Sequence, residues 1–137
     1  MGGNTSKSSD FKVVIIGGGY AGISVAINLD NFCQVTLIDA KTYFHHCIAS
    51  LRAAVTTAGF EKKTMIPYAP AIQNSVFKQG LVISVDTHLK CVTLESEETI
   101  NYDYLVFACG SSNTFPGISI YKSCKFAVLY YLLWKMQ

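Results

Sequence analysis

The sequence predicts an α/β fold in which a βαβ unit forms a parallel sheet and a small β-meander follows. Three observations carry this. Val13-Val14-Ile15-Ile16 is a run of four β-branched apolar residues, the composition of a strand covered on both faces. Gly17-x-Gly19-x-x-Gly22 follows at once and opens a helical pattern. Asp39 closes a second apolar run, Val35-Thr36-Leu37-Ile38, about 20 residues beyond the glycines.

Taken in order, residues 1–10 are small and polar and predict a flexible leader with no secretory signal. Met1-Gly2-Gly3-Asn4-Thr5-Ser6 fits the N-myristoylation pattern, with Gly2 as acceptor. A leader that matches by chance is the equal alternative. One acyl chain holds a protein to a membrane only marginally, and no cysteine lies nearby to carry a second lipid.

Phe11–Ile16 is the first predicted strand. Tyr20–Asn31 is the first helix, with Ile23, Ala26, Ile27 and Leu29 on one face and a stop at Asp30-Asn31. Cys33–Ile38 is the second strand. A right-handed crossover of this size makes the two strands parallel. Residues 40–46 then form a loop at the carboxyl ends of the strands, where open α/β sheets bind ligands. Lys41 either sits by a phosphate or an adenine there or is simply solvated. Adjacent His45 and His46 do not converge easily on one ion, so loop packing beside a ligand is preferred over metal binding.

Residues 47–57 predict a second helix with Ile48, Leu51, Ala54 and Val55 on an apolar face. Arg52, on this helix, reads either as a surface charge or as a fork-like clamp on a phosphate or ring carbonyl. Residues 58–78, with Pro67 and Pro70, look irregular. Gln79–Asp86 reads as one strand, and Lys90–Glu95 with Thr99–Tyr102 as a meander around an acidic turn. Tyr104–Ala108 is the last strand and runs into Cys109-Gly110-Ser111-Ser112, a second glycine turn at a strand's carboxyl end. Residues 118–137 change character: Phe126–Trp134 is apolar and aromatic between lysines, and too short to span a bilayer.

Composition excludes several classes. The chain has 137 residues, 50% hydrophobic and 15% charged, enough for one core. A net charge of +2, with Arg52 the only arginine, gives nucleic acid little purchase. Five cysteines without a Cys-x-x-Cys suggest reduced thiols in the cytosol, with neither a zinc site nor disulfide-reductase chemistry.

Each glycine of the turn has a physical role in dinucleotide binding. Gly17 permits the tight exit from the strand, Gly19 lets the backbone approach a pyrophosphate, and Gly22 lets the helix pack close. The phosphates would face the free N–H groups at the helix N-terminus, and Asp39 would accept from ribose hydroxyls.

Two groups of residues carry a resemblance. The Gly17-x-Gly19-x-x-Gly22…Asp39 pattern and the strand ending Phe107-Ala108-Cys109-Gly110 resemble the Rossmann-like FAD domain of two-dinucleotide-domain flavoproteins. There the second element usually reads Ala-Thr-Gly, and Cys109 stands in the place of the threonine. Phe44-His45-His46, Ala49-x-Leu51-Arg52-Ala53, Lys62-Lys63-Thr64 and Gln79-Gly80-Leu81-Val82 resemble more narrowly the apoptosis-inducing-factor group. The likeness covers roughly residues 1–117, with 11–117 as the FAD/NAD(P)-binding domain.

The resemblance implies an FAD-dependent NAD(P)H:quinone oxidoreductase, acting on ubiquinone among others and protecting lipids from peroxidation. It implies a place in the cytosol and at cytosol-facing membranes (plasma membrane, lipid droplet, mitochondrial outer membrane), held through Gly2. Under it Gly17, Gly18, Gly19, Tyr20 and Ala21 cradle the FAD pyrophosphate and Gly22 supports the helix. Asp39 holds the ribose, Arg52 contacts the flavin end, the Val82 backbone meets the adenine, and Gly110 approaches the cofactor. No catalytic residue and no obligate oligomer is implied. Beyond Phe115-Pro116-Gly117 the group continues into an NAD(P)H domain, whereas 118–137 align with nothing there and no second Gly-x-Gly-x-x-Gly occurs. The expectation is therefore an incomplete domain that binds FAD at best and is impaired in turnover. The alternative is a non-catalytic, membrane-tethered dinucleotide-binding fragment.

Overall fold

The computed structural model describes residues 10–56 and 59–111. Gly2, the leader before Asp10, and the apolar stretch at 126–134 lie outside the described residues. The described chain forms three layers. The middle one is a parallel four-stranded sheet in the order β5-β2-β1-β9, built from β1 (Lys12–Ile16), β2 (Gln34–Asp39), β5 (Val76–Gln79) and β9 (Tyr104–Phe107).

The β-branched run behaves as its composition demands. Val13, Val14, Ile15 and Ile16 are all buried, because β1 is central and covered on both faces. Alternation then divides the core. Val13 and Ile15 join Val35, Leu37 and Ala26 under α1 (Tyr20–Leu29), together with Tyr68 and Ile72. Val14 and Ile16 join Ile38, Val92, Leu94 and Tyr102 on the other face. Burying a side chain such as Ile15 or Leu37, each at 0% exposure, contributes about 1.5–3 kcal/mol. The third layer, over that second face, is an antiparallel sheet of β6 (Val82–Asp86), β7 (Cys91–Leu94) and β8 (Thr99–Asn101).

Four sequence expectations are corrected. The stretch Gln79–Asp86 is two strands, not one. β5 pairs with β2 in the parallel sheet, whereas β6 pairs with β7 in the layer above. The chain changes layers at Gly80-Leu81, where the Gly80 N–H donates to the Asp39 carbonyl at 3.0 Å and Leu81 accepts from the Glu95 N–H at 2.8 Å. Nothing in an unbroken β-prone run marks such a crossing except the glycine. Residues 40–46 are not all loop: β3 (Tyr43–His45) pairs antiparallel with β4 (Met65–Pro67). Residues 58–78 are not uniformly irregular either, holding a 3-10 helix (Phe60–Thr64), β4 and the start of β5.

The fourth correction concerns the second helix, α2 (Cys47–Ala53). Its apolar face is not buried: Ile48 and Leu51 are 67% and 76% exposed, and Val55, in the turn beyond the helix end, is 83% exposed. Helical spacing shows that a face is apolar; it does not supply the element that covers it. Ile27 on α1 is likewise half exposed, so the stripe that α1 buries is narrow and centres on Gly22 and Ala26.

Asp30 caps α1 and also anchors the start of β5. Its buried carboxylate accepts from the backbone N–H groups of Gln73 (3.0 Å), Asn74 (3.2 Å) and Ser75 (2.7 Å), and from the Ser75 hydroxyl. Burial pushes its carboxyl up, but the Ser75 hydroxyl and these three N–H groups outweigh it and hold the group below its ordinary value.

Candidate functional site

A cavity of about 270 Å³ opens at the carboxyl ends of β1, β2 and β9, beside the β5–β6 crossing. Gly17, Gly19, Asp39, Lys41, Val82 and Gly110 all line it, so six of the expected residues, from four separate segments, meet at one place. A larger hollow of about 530 Å³ lies at the amino end of β2, around Asp30, Asn31 and Gln34. Its acid is already saturated by backbone donors, and it sits at the end of the sheet where such folds do not bind ligands.

The glycines of the turn separate into two kinds. Gly17 has φ +100°, and a Cβ there would lie 2.4 Å from the Ala108 carbonyl oxygen. A Cβ on Gly22 would lie 1.8 Å from the Gly17 carbonyl oxygen. Both positions are thus dictated by the protein itself, the first by contact with the end of β9 and the second by the approach of α1 to the turn. Gly19 is different. Its φ is an ordinary −70°, and its Cβ would meet nothing within 4 Å. Among the described residues no atom requires a glycine at 19, yet the residue faces the cavity. A bound group approaching the backbone at that point gives the glycine a reason, so these residues fit a dinucleotide's diphosphate.

The Gly18 peptide groups are tied from both sides. Its N–H donates to the Asp39 carboxylate at 2.6 Å, and its carbonyl accepts from the Tyr68 hydroxyl at 2.9 Å. The second Asp39 oxygen accepts from the Lys41 N–H at 2.8 Å. Asp39 therefore organises the turn with both oxygens, and each keeps a lone pair for a ribose hydroxyl. Tyr68 is 1% exposed, and burial, followed by the adjacent Asp39 carboxylate, pushes its phenol well above the ordinary range. The shift favours the protonated phenol, the form that donates to Gly18. Sequence reasoning missed Tyr68 because it sits between two prolines in a stretch without periodicity, 50 residues from its partner.

Cys109 completes the cavity on the β9 side. Its thiol donates to the Ile16 carbonyl with Sγ 3.6 Å away, and burial pushes it up. The bond ties the turn after β9 to the end of β1.

Other expected residues lie apart. Tyr20 and Ala21 are exposed at the start of α1 and do not line the cavity. The Tyr20 hydroxyl meets His46 Nδ1 at 3.0 Å, and its ring packs edge-on against Phe44 at 4.9 Å. Arg52 is exposed on α2, with its guanidinium 5.9 Å from the centre of the Phe60 ring, and does not reach the cavity. Both members of the histidine pair make hydrogen bonds to α2. His46 Nδ1 accepts from the Ala49 N–H at 3.2 Å as the N-cap, and His45 Nε2 meets Ser50 Oγ at 2.7 Å. Among the described residues no group of three His, Cys, Asp or Glu side chains is placed to hold a metal, and no helix is long and apolar enough to cross a membrane.

Comparison with known proteins gives a consistent result. The family model described as "Pyridine nucleotide-disulphide oxidoreductase" matches residues 11–129. The chain is 42% identical over 118 residues to ferroptosis suppressor protein 1 of Xenopus laevis, covering 85% of this chain and 31% of that protein. It is 40% identical over 105 residues to apoptosis-inducing factor homolog B of Dictyostelium discoideum, covering 77% of this chain and 26% of that one. Among solved structures, the sulfide:quinone oxidoreductase of Aquifex aeolicus superposes with a TM-score of 0.68 at 35% identity, over 77% of this chain and 25% of its own. The chain thus spans less than a third of the length of these relatives.

Proposed function

The chain belongs to the pyridine nucleotide-disulphide oxidoreductase family, and from that premise we propose that it seats FAD in the cavity at the glycine turn, as the flavin-binding element of an NAD(P)H:quinone oxidoreductase. FAD and NAD(P)H are the cofactors of the family. Gly19 carries the reading, being the one glycine of the turn that the protein's own packing does not require.

In this reading the Gly17–Gly19 backbone and the start of α1 receive the diphosphate. Asp39 accepts from the ribose while its other contacts hold the turn closed. The backbone of Val82 meets the adenine at the start of β6, where the ladder shifts register between Val82 and Ser84. Lys41 and Gly110 border the same cavity. Arg52, on α2 outside the cavity, is the proposed contact for a flavin end that extends beyond it. A flavin held by these residues would supply the redox chemistry, while the chain's own part is to bind and orient it. A quinone as final acceptor is favoured by the likeness to sulfide:quinone oxidoreductase and, with protection of membrane lipids, by the likeness to ferroptosis suppressor protein 1. Gly2 is the proposed acyl acceptor that brings the chain to a membrane surface. The sequence has one Gly-x-Gly-x-x-Gly, so the chain by itself is proposed to seat one dinucleotide and not to oxidise NADH.

Titration of the purified chain with FAD, followed by flavin fluorescence, tests this. Saturable quenching that Gly19→Val abolishes, with circular dichroism unchanged, is expected. Binding of NADH but not FAD, or turnover of NADH with a quinone by this chain alone, contradicts the corresponding part of the reading.

A further inference from the structure

We propose that Tyr68 is a positioning residue for the glycine turn: by holding the Gly18 carbonyl beneath the turn, it aims the Gly19 N–H at the diphosphate of a bound dinucleotide. The inference rests on the dinucleotide reading above and adds a residue to it.

The Gly18 carbonyl and the Gly19 N–H belong to one planar trans peptide, so they point in opposite directions. The Tyr68 hydroxyl takes the carbonyl at 2.9 Å from within the core. The N–H is thereby turned outward, on a residue that is exposed, lines the cavity and has open space at its Cβ position. The peptide before it is fixed as well, since the Gly18 N–H is held by Asp39 at 2.6 Å. Contact between phenol and turn is tight: a Cβ on Gly18 would lie 2.2 Å from the Tyr68 hydroxyl oxygen.

The phenol itself cannot drift. Its ring packs on Phe77 with centroids 4.8 Å apart, and it belongs to the buried cluster with Ile15, Leu37 and Ile72. Its backbone carbonyl accepts from the Ala71 and Ile72 N–H groups at 2.9 and 3.3 Å. A donor fixed in this way orients the anion-binding N–H before any ligand arrives, which is how a preorganised site gains affinity.

Tyr102 provides a matched control. It too is a buried tyrosine whose hydroxyl donates to a backbone carbonyl, that of Asp86 at 3.3 Å, but it follows β8 and packs in the core on the opposite face of the parallel sheet from Tyr68. FAD, ADP and adenosine would be titrated against wild type, Tyr68→Phe and Tyr102→Phe, with circular dichroism on each and Gly19 followed by amide NMR. Tyr68→Phe should weaken FAD and ADP about five- to tenfold, the scale of one neutral hydrogen bond, and leave adenosine unchanged. Tyr102→Phe should change none of them. In the wild type, ADP should shift the Gly19 amide resonance. Equal FAD affinity in wild type and Tyr68→Phe overturns the inference, as does an equal loss in both variants or an equal loss for ADP and adenosine. Should Tyr68→Phe fail to fold, an unmoved Gly19 resonance in the wild type with ADP overturns it. Wild-type protein that binds no FAD fails the dinucleotide reading itself, and the inference falls with it.

Discussion

The Asp39 carboxylate accepts from the backbone N–H of Gly18 at 2.6 Å, closing the carboxyl end of β2 onto the turn that leaves β1. Its other oxygen accepts from Lys41. The acid that sequence spacing assigns to a ligand is therefore a builder of the ligand's site first. Asp39→Ala removes the acceptor of both bonds. It should cost about 1.5–3 kcal/mol in urea denaturation, the range for hydrogen bonds to a charged group, and lower FAD affinity at least about tenfold. Loss of affinity without loss of stability would mean that Asp39 acts on the ligand alone.

Gly22→Ala and Gly19→Ala should separate folding from binding. The first places a methyl 1.8 Å from the Gly17 carbonyl oxygen, so α1 must move, at a cost of about 3 kcal/mol or more. The second meets open space at an ordinary φ; the loss of an N-cap glycine and the stiffer unfolded chain oppose each other, so stability should change by no more than about 1 kcal/mol while FAD binding falls. Equal melting temperatures for the two variants would contradict the packing described here.

Asp30 gives the fold a pH dependence whose sign is fixed. Its carboxyl is held below the ordinary value in the folded chain. The stabilisation is therefore complete above the unfolded carboxyl value, about 3.9, and is lost as pH falls through the folded one. Asp30→Asn should destabilise by about 1.5–3 kcal/mol at pH 7, with the gap to wild type narrowing as the pH falls below the unfolded value. A gap that stays constant from pH 7 to pH 3 would exclude the carboxylate as its source.

Cysteine labelling should follow burial. Cys47 is exposed, whereas Cys109 is half-buried and its thiol is pushed up by that burial. Iodoacetamide at pH 8 should modify Cys47 well before Cys109, because the thiolate is the reacting species. FAD should slow Cys109 further and leave Cys47 unaffected, as read by peptide mass spectrometry.

The exposed apolar residues of α2 and of the turn after it should behave as surface. Leu51→Ser and Val55→Ser should each change stability by less than about 0.5 kcal/mol. A loss of 2 kcal/mol or more in thermal unfolding would place these side chains in a core.

The sequence by itself determined the middle of the fold and the outline of the site. Val13–Ile16, the glycine spacing and the apolar run to Ile38 specify strand, turn, helix and strand through contacts between near neighbours, and the structure has them in that order with a parallel register. The Cys109-Gly110 turn could also be placed, since a strand running into glycine reads locally. Only the tertiary structure decided which glycine was left for a ligand, because a Cβ collision depends on atoms such as the Ala108 carbonyl, far along the chain. The same holds for Tyr68, joined to Gly18 across 50 residues, and for the layer change at Gly80, where one β-prone run serves two sheets. Periodicity records what a segment can bury; the partner that buries it, or that leaves α2 uncovered, is set by packing between segments.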